Sequence, residues 1–446
     1  MHRVLSFLCC AFLAVPSLAA QGDDADPVQL TPAERVYGLS LLWQEVNYNF
    51  AFPEQIRFDW DSAYRAYVPQ VLAAEDPWDY YRQLQRFVNL LGDGHTSVQM
   101  PAALRDEQRV TYPWVLTANV DGHVVVRNVG ASLADSVPVG ALVVAVDGQP
   151  AVEWSRAEHG PYVVASSPHI REDRVRERVL WGPRDTPVRV TLELADGTRR
   201  DVRLRRDRRS REDTWTEPLS PETRFSLSWL EGGVAHVSLN TFNDSLIVAD
   251  FEAALPELRK ARALILDLRH NPGGSSGNGY RIARWLTRDT LTTSAARTRE
   301  HVAAYKAWGR WQERHRAYRD MRAWRDLGTH GSVAPAADPL IVPTAVLVSH
   351  RTGSAAEDFL VAVDRVPHFT TVGQPSNGST GQPLFIDLPG GGTAVVVTKR
   401  DTYPDGREFV GTGVVPDVRV EPTLADLRAG RDQVLARAVE VVAGKQ

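Results

Sequence analysis

Cysteine is scarce in this chain. Of its 446 residues only Cys9 and Cys10 carry a thiol, and both lie close to the N-terminus. Without that stretch the chain has no thiol for a disulfide, a nucleophile or a metal site. The sequence also lacks an H-E-x-x-H motif and a P-loop, which are signatures of zinc and nucleotide sites. We therefore expect no metal site and no cofactor.

An excess of basic residues is also missing. The formal net charge is −4, which argues against nucleic acid as a partner. Aspartates interrupt the Arg-rich stretch 199–209, so we interpret it as solvated charge, with a patch for an acidic partner as the alternative. The apolar run at 4–15 is too short for a spanning helix. No other segment is apolar for long enough, so no stable membrane span is expected.

The first 20 residues have the pattern of a signal peptide. Arg3 precedes the apolar run, and residues 16–20 supply small side chains for cleavage after Ala19 or Ala20. We expect an exported protein, periplasmic or secreted. A lipid anchor on Cys9 is the alternative, although bulky residues stand before this cysteine where a lipobox has small ones.

A strand, a tight turn and a helix meet at Ser354. The apolar run 346–348 leads through Gly353 into a helical pattern that starts with Ser354. A serine at this corner has its hydroxyl exposed beside the N–H of Ala355 and the positive end of the helix dipole. That arrangement suits a nucleophile. The alternative is structural, because Ser354 and Glu357 also spell a helix capping box.

A second segment carries an apolar strand into a glycine turn. Residues 263–268 are nearly all apolar, as in a strand covered on both faces. Gly273 and Gly274 follow, and their N–H groups can approach a ligand closely. With the N–H of Ala355 they would form a two-donor oxyanion hole. The alternative is that Pro-Gly-Gly forms only a turn.

Four segments together resemble the S41 serine peptidases, a family that includes carboxy-terminal-processing and tricorn-core-like proteases. They occur in the family's order between about Thr31 and Pro422, at residues 91–96, 267–274, 354–357 and 413–417. The resemblance implies an acyl-enzyme on Ser354 and an oxyanion hole built from Gly273, Gly274 and Ala355. It also implies an α/β core of the ClpP/crotonase type.

The resemblance leaves a choice of catalytic base. Carboxy-terminal-processing members resemble a Ser-Lys design, with the lysine about 25 residues after the serine. The corresponding stretch 373–382 has no lysine, and Ser379 stands where it would be. The tricorn-like branch uses a histidine from near the N-terminus, a role that His95 fits. Asp76 is the predicted N-cap of the preceding helix and Gly92 its C-terminal stop.

A third residue should orient the imidazole. Tricorn-like enzymes resemble this chain in having a glutamate shortly before Gly-Val-x-Pro-Asp, so Glu408 is our candidate. The alternative for Glu408 is a solvated hairpin carboxylate. Asp401, Asp405 and Thr96 compete for the orienting role. Lys399, which follows a predicted strand, is a rival base if burial lowers its pKa.

The pattern along the chain predicts an α/β multidomain protein. After the signal peptide we expect a helical N-terminal domain at 21–105 that carries His95, and a PDZ-like, β-rich domain at 106–210. The peptidase core follows at 220–425, with a helical insertion at about 280–335 and a C-terminal helix at 426–446. PDZ folds bind chain ends by strand addition, which implies a substrate recognised by its C-terminal tail.

Aromatic residues cluster in the insertion. Trp308, Trp311, His315 and Tyr318 fall near one face of a predicted helix. We interpret them as a packed aromatic stripe, with a lid over Ser354 or an oligomer contact as the alternatives. The oligomeric state is not predicted.

We expect an exported serine endopeptidase in which His95 activates Ser354 and Glu408 supports the histidine. Two other classes compete. A catalytically silent member of the same family would bind peptides or apolar ligands, with Ser354 as a helix cap only. An acyl-handling enzyme of the crotonase type would use the oxyanion hole on coenzyme A thioesters and need neither Ser354 nor His95.

Overall fold

The computed structural model describes residues 28–105, 109–219, 221 and 223–444. The expected signal peptide at 1–20 lies outside these residues. Three α-helices form the N-terminal part, and a short strand follows the loop that carries His95. Their bounds are α1 Pro32–Asn49, α2 Trp60–Ala73, α3 Pro77–Asn89 and β1 Ser97–Gln99.

The helix before His95 begins at the predicted cap Asp76 and stops at the predicted Gly92. Thr31 caps α1 with Glu34 in a capping box, and Asp76 caps α3 by accepting from Asp79 N–H at 2.9 Å. Gly92 stops the third helix with φ +61°, a conformation that glycine adopts without a steric cost. Tyr81, Leu84 and Phe87 on α3 are fully buried, so the helix that precedes His95 is a rigid support.

A β-rich middle domain follows. Its larger sheet has the order β3-β4-β5-β8-β9, with β6 paired to β5, and two helices lie between β6 and β7. The bounds are β2 Val110–Thr111, β3 Val115–Val120, β4 His123–Val129, β5 Leu142–Val146, β6 Gln149–Pro150, α4 Ala151–His159, α5 Pro168–Glu177, β7 Gly182–Pro183, β8 Pro187–Glu193 and β9 Arg199–Arg205.

The core is built on a six-stranded sheet in the order β10-β11-β12-β17-β18-β22, parallel except for the edge pair β10-β11. The bounds are β10 Phe225–Leu230, β11 Val234–Leu239, α6 Leu246–Leu258, β12 Ala263–Asp267, α7 Ser276–Ala283, β13 Leu291–Thr292, β14 Ala295–Arg299, α8 Ala303–Trp308, α9 Arg316–Arg319, β15 Trp324–Thr329, β16 Ser332–Val333, β17 Thr344–Val348, α10 Ala355–Val363, β18 Phe369–Gly373, β19 Pro383–Leu388, β20 Gly392–Val397, β21 Lys399–Thr402, β22 Val418–Arg419, α11 Leu424–Ala429 and α12 Gln433–Ala443.

Apolar side chains cover both faces of this sheet. The central strands β12 and β17 are buried along their whole length, as their unbroken apolar sequences predict. Helices α6, α7 and α10 contribute to one buried cluster, and α12 contributes Val434, Ala438 and Val442 to a cluster on the other face. Functional groups of parallel sheets gather at the carboxyl ends of the strands, where β12 and β17 lead into the two candidate segments.

The N-terminal helices are joined to the core through strands. β1 pairs with β20, with Ser97 opposite Val395, and β20 pairs with β19. Side chains of this hairpin share a buried cluster with the three N-terminal helices. Because β1 begins two residues after His95, this pairing fixes the histidine loop against the core.

Two predicted helices are interrupted. The insertion contains the short helices α8 and α9 and a sheet in the order β15-β14-β21. α8 ends at Gly309, where the chain turns back so closely that a Cβ would lie 2.4 Å from the carbonyl oxygen of His315. The C-terminal helix is divided by Gly430, which ends α11 with φ +60°. Glycine lowers the cost of such a break.

Candidate functional site

Ser354 stands on a strained corner between β17 and α10. Its backbone has φ +53° and ψ −121°, a conformation that non-glycine residues rarely adopt and that costs free energy of order 1–3 kcal/mol. The corner is tied to the glycine turn, since Gly353 N–H donates to the carbonyl of Asn271 at 3.1 Å. Strain of this kind at a strand-to-helix turn exposes a serine hydroxyl, and a simple N-cap does not require it.

His95 lies between two serine hydroxyls. Its Nε2 is 3.4 Å from Oγ of Ser354, and its Nδ1 is 2.5 Å from Oγ of Ser379. If Nδ1 carries the proton and donates it to Ser379, Nε2 is free to accept the proton of Ser354. The sequence predicted the Ser354–His95 pair, and the structure brings these two side chains together across 259 positions of the chain.

The imidazole of His95 is kept neutral by its surroundings. Burial lowers its pKa from the ordinary 6.5, and the charge of Arg174 acts in the same direction. The carboxylates of Asp93 and Asp401 oppose this effect and raise the pKa. The net shift is downward, so at neutral pH the ring is in the form that can accept a proton.

A buried carboxylate holds the loop that carries Ser379. Glu357 is fully buried on the first turn of α10. Its Oε2 accepts from the N–H of Ser354 at 3.0 Å and of Ser379 at 3.2 Å, and its Oε1 accepts from Gly378 N–H at 2.7 Å and Ser376 Oγ at 2.5 Å. Burial raises the pKa of Glu357 to about 7, although these hydrogen bonds act to lower it. The glutamate of the S-x-x-E motif therefore joins the nucleophile to the loop of Ser379.

The glycine turn comes within contact distance of the nucleophile. Gly273 has φ +107°, and a Cβ there would lie 2.7 Å from Cβ of Ser354 and 2.9 Å from N of Ala355. The N–H of Gly273 donates to the side chain of Asn271 at 2.9 Å. The N–H groups of Gly274 and Ala355 have no hydrogen-bond acceptor within the described ranges. Of the three predicted oxyanion-hole residues, these two have donors that are free for a ligand.

The carboxylate of Glu408 pairs with arginines and not with the imidazole of His95. Its carboxylate is exposed and accepts from Nη2 of Arg400 at 2.6 Å, with Arg297 at 3.8 Å. It thus has the solvated, ion-paired environment that the alternative predicted. Ser379 stands at the position beside Nδ1 of His95 instead. The sequence signal for Ser379 was its place in the stretch where carboxy-terminal-processing peptidases have a lysine.

The competing candidates are also engaged with other groups. Nζ of Lys399 lies 3.0 Å from Asp401 and 2.9 Å from Nε2 of His330. Asp405 accepts from Arg407 and Arg365, and Thr96 accepts from the N–H of Val397. Among these residues only Asp401 acts on His95, and it does so through its charge.

An open pocket of about 350 Å³ lies beside the nucleophile helix. Its walls include Ser276, Tyr280, Asp358 and Gln382. Asp358 lies one turn after Ser354, whose carbonyl accepts the N–H of Asp358 at 3.1 Å.

In the part of the chain that the structure covers, no group of three or more potential ligands is arranged to hold a metal ion. No helix among those residues has the length and apolar character needed to cross a bilayer.

The middle domain contacts both loops around the site through α5 and the residue before it. Oγ of Ser167 donates to the carbonyl of Asn377 at 2.8 Å, and Nε2 of His169 lies 2.8 Å from the carbonyl of Ser376. On the other side, Asp173 lies 2.5 Å from Nδ1 of His350, four residues before the nucleophile. The site is therefore assembled from all three parts of the chain.

The family model of peptidase family S41 matches residues 233–420. This part of the chain, somewhat less than half of it, is similar to peptidase family S41. The match contains the glycine turn, Ser354 and Ser379, and His95 lies before it. The carboxyl-terminal-processing peptidase 2 of Arabidopsis thaliana is 31% identical over 189 residues, which are 41% of this chain and 31% of the relative. Carboxyl-terminal-processing peptidase 3 of the same plant is 24% identical over 431 residues, 93% of this chain and 75% of the relative.

Solved structures share the fold of this chain over nearly its whole length. The crystal structure of mature CPAF has a TM-score of 0.73 at 15% identity and covers 94% of this chain and 98% of its own. The photosystem II D1 C-terminal processing protease has a TM-score of 0.50 at 19% identity, covering 88% of this chain and 94% of its own. The alignment with the first curated relative spans only about a third of that relative.

Proposed function

We propose that this chain is a serine endopeptidase that acts through an acyl-enzyme on Ser354. The observation that carries the proposal is the position of His95, with Nε2 3.4 Å from Oγ of Ser354 and Nδ1 2.5 Å from Oγ of Ser379. This is the relation of nucleophile, base and orienting group that serine hydrolases need. The similarity of residues 233–420 to peptidase family S41 and the free N–H groups of Gly274 and Ala355 support it.

The reaction follows from these positions. Oγ of Ser354 attacks the peptide carbonyl carbon, and its proton passes to Nε2 of His95. The N–H groups of Gly274 and Ala355 stabilise the negative charge that forms on the carbonyl oxygen. The C–N bond then breaks as His95 returns the proton to the leaving amine. Water, activated by the same histidine, hydrolyses the ester and frees the carboxylic acid product and Ser354.

The substrate class we propose is a protein or peptide cleaved near its C-terminus. The support is the similarity to carboxyl-terminal-processing peptidases and a middle domain that contacts both loops around Ser354. We also propose export of the mature protein, on the strength of the N-terminal pattern at 1–20. N-terminal sequencing of the protein recovered from outside the cytoplasm would show a start at about residue 20 or 21.

A silent binding protein is the competing function. A helix cap serves well with ordinary backbone angles, whereas Ser354 has φ +53°. A crotonase-type enzyme would have no use for the pairing of Ser354 with His95. Both alternatives leave the strained corner and the aligned imidazole unexplained, so we favour the peptidase.

The test is labelling of the purified mature protein with a fluorophosphonate. We expect the wild type to be labelled and both Ser354→Ala and His95→Ala to lose labelling, with Lys399→Met labelled at close to the wild-type rate. Labelling that persists in His95→Ala and disappears in Lys399→Met would show that Lys399, and not His95, is the catalytic base. A folded wild type that resists labelling, while a known serine hydrolase reacts, would favour the binding protein.

A further inference from the structure

The hydrogen bonds that begin at His95 do not end at Ser379. Oγ of Ser379 lies 3.2 Å from Oγ of Ser166, and Oγ of Ser166 lies 3.2 Å from Oδ2 of Asp93. The chain of contacts thus runs from Nδ1 of His95 through two hydroxyls to a carboxylate. Asp93 is buried, with 3% of its surface exposed.

The hydroxyl of Ser166 is the donor in both of its side-chain contacts. It has one proton, and Oδ2 of Asp93 and Oγ of Ser379 are both acceptors at 3.2 Å. The oxygen of Ser166 in turn accepts the N–H of Gly94 at 2.8 Å. An ionised carboxylate can only accept, and Oγ of Ser379 has lone pairs for both Ser166 and Nδ1–H of His95.

The charge at the end of this chain favours one form of the histidine. The negative carboxylate of Asp93 is linked to Nδ1 through two hydroxyls, which favours the tautomer with the proton on Nδ1, donated to Oγ of Ser379. Nε2 is then the unprotonated atom, and it is the one that faces Ser354. When Nε2 takes the proton of Ser354, the positive charge that forms is stabilised by the carboxylate through the two hydroxyls.

We propose that Asp93 and Ser166 are positioning residues that, acting through Ser379, hold His95 in the tautomer that accepts the proton of Ser354. The proposal rests on the proposed peptidase function. It assigns to Asp93 the supporting role that we predicted for Glu408, and it makes Ser166 of the middle domain a member of the catalytic arrangement.

A purely local role for Asp93 is the competing explanation. Its Oδ1 accepts from the N–H of His95 at 3.0 Å, so the carboxylate also shapes its own loop. Other charges act on the imidazole too, with Asp401 on β21 raising its pKa and Arg174 on α5 lowering it. A test must therefore separate the effect of Asp93 through Ser166 and Ser379 from its effect on the conformation of its own loop and from the effect of other charges on His95.

The experiment compares the rate of fluorophosphonate labelling in five purified full-length proteins. These are the wild type, Asp93→Asn, Ser166→Ala, Ser166→Thr and Glu408→Gln, each checked for an unchanged melting temperature. We expect labelling to fall about 10- to 100-fold in Asp93→Asn and Ser166→Ala. We expect Ser166→Thr to recover most of the rate, because it restores the hydroxyl, and Glu408→Gln to match the wild type.

A second readout is the pKa of His95 measured by NMR titration in the same proteins. We expect Asp93→Asn to lower this pKa, since the negative charge that stabilises the imidazolium is lost, and Glu408→Gln to leave it in place. A labelling rate within about twofold of wild type in Asp93→Asn, or equal rates in Ser166→Ala and Ser166→Thr, would overturn the proposal.

The two proposals fail in different ways. If the wild type is not labelled at any pH, the proposed function is wrong, and the titration of His95 still reports whether Asp93 acts on the imidazole. If the wild type is labelled but Glu408→Gln shifts the His95 pKa and Asp93→Asn does not, the peptidase stands and the assignment of the positioning residues is wrong.

Discussion

Nδ1 of His95 lies 2.5 Å from Oγ of Ser379, a residue 284 positions later in the chain. This contact occupies the place at which serine peptidases of the triad type have an acidic residue. A neutral hydroxyl can orient an imidazole but cannot by itself neutralise an imidazolium. The polar groups behind Ser379 therefore matter as much as the contact itself.

Replacing Ser379 by alanine should slow catalysis without weakening substrate binding. The imidazole would lose the acceptor for Nδ1–H, and the reactive tautomer would be less populated. With a cleavable peptide we expect kcat to fall about 10- to 100-fold at nearly constant KM. Ser210→Ala, which removes an exposed hydroxyl in the turn after β9, is the control and should leave kcat unchanged. A rise in KM with constant kcat would contradict the orienting role.

The pH dependence should follow His95. Only the neutral imidazole accepts the proton of Ser354, and burial lowers the pKa of His95 below its ordinary 6.5. The rate of fluorophosphonate labelling should therefore rise with pH along a limb centred below pH 6.5 and be flat above it. Rates measured from pH 4 to 9 would check this. A midpoint at or above pH 6.5 would show that the neighbouring carboxylates outweigh burial.

Gly273→Ala should disable the site rather than the fold. The added Cβ would lie 2.7 Å from both Gly353 O and Ser354 Cβ, on a backbone with φ +107°. The nucleophile and the oxyanion donor at Ala355 would have to move, and loss of one such donor costs about 100- to 1,000-fold in rate. Gly197→Ala is the matched control, since φ is +81° there but the space is open. Equal loss of labelling in both variants would point to backbone strain alone.

Glu357→Gln should destabilise the protein. Oε2 of Glu357 accepts from the N–H groups of Ser354 and Ser379, and Oε1 also faces two donors. Whichever way the glutamine amide points, its NH₂ would face donors, so the free energy of unfolding should fall by about 2–4 kcal/mol.

The control for this variant is Glu440→Gln on α12. This glutamate pairs with Arg437 at the surface, where removing a charge costs about 0–1 kcal/mol. Urea unfolding of both variants and of the wild type would give the comparison. Similar stability of the two variants would mean that Glu357 does not hold the loop 376–379.

The Ser354–His95 pair was predictable because each residue lies in a short motif. The strand, turn and helix around Ser354 and the glycine turn around Gly273 are local patterns, and the structure forms both. The cap at Asp76 was predictable for the same reason, because a capping residue bonds to the backbone within three positions.

Local patterns of this kind could not identify the partner of Nδ1 of His95. Ser166 lies in no recognised motif, and Ser379 was marked only by standing where carboxy-terminal-processing peptidases have a lysine. The fold brings both residues close to His95. Glu408 was chosen by its distance from a motif, but Arg400 lies eight residues before it and pairs with its carboxylate. Electrostatic pairing of this kind depends on which residues meet across a hairpin, which spacing alone does not determine.

Helix α5 of the middle domain contacts the loops on both sides of Ser354, through His169 and Asp173. Hydrogen bonds weaken steeply when their geometry changes. A shift of this domain by about an ångström would therefore weaken the contacts of Ser166 and those of the turn at Ser354 together. The geometry around Ser354 therefore depends on where the middle domain lies as well as on the core that carries the serine.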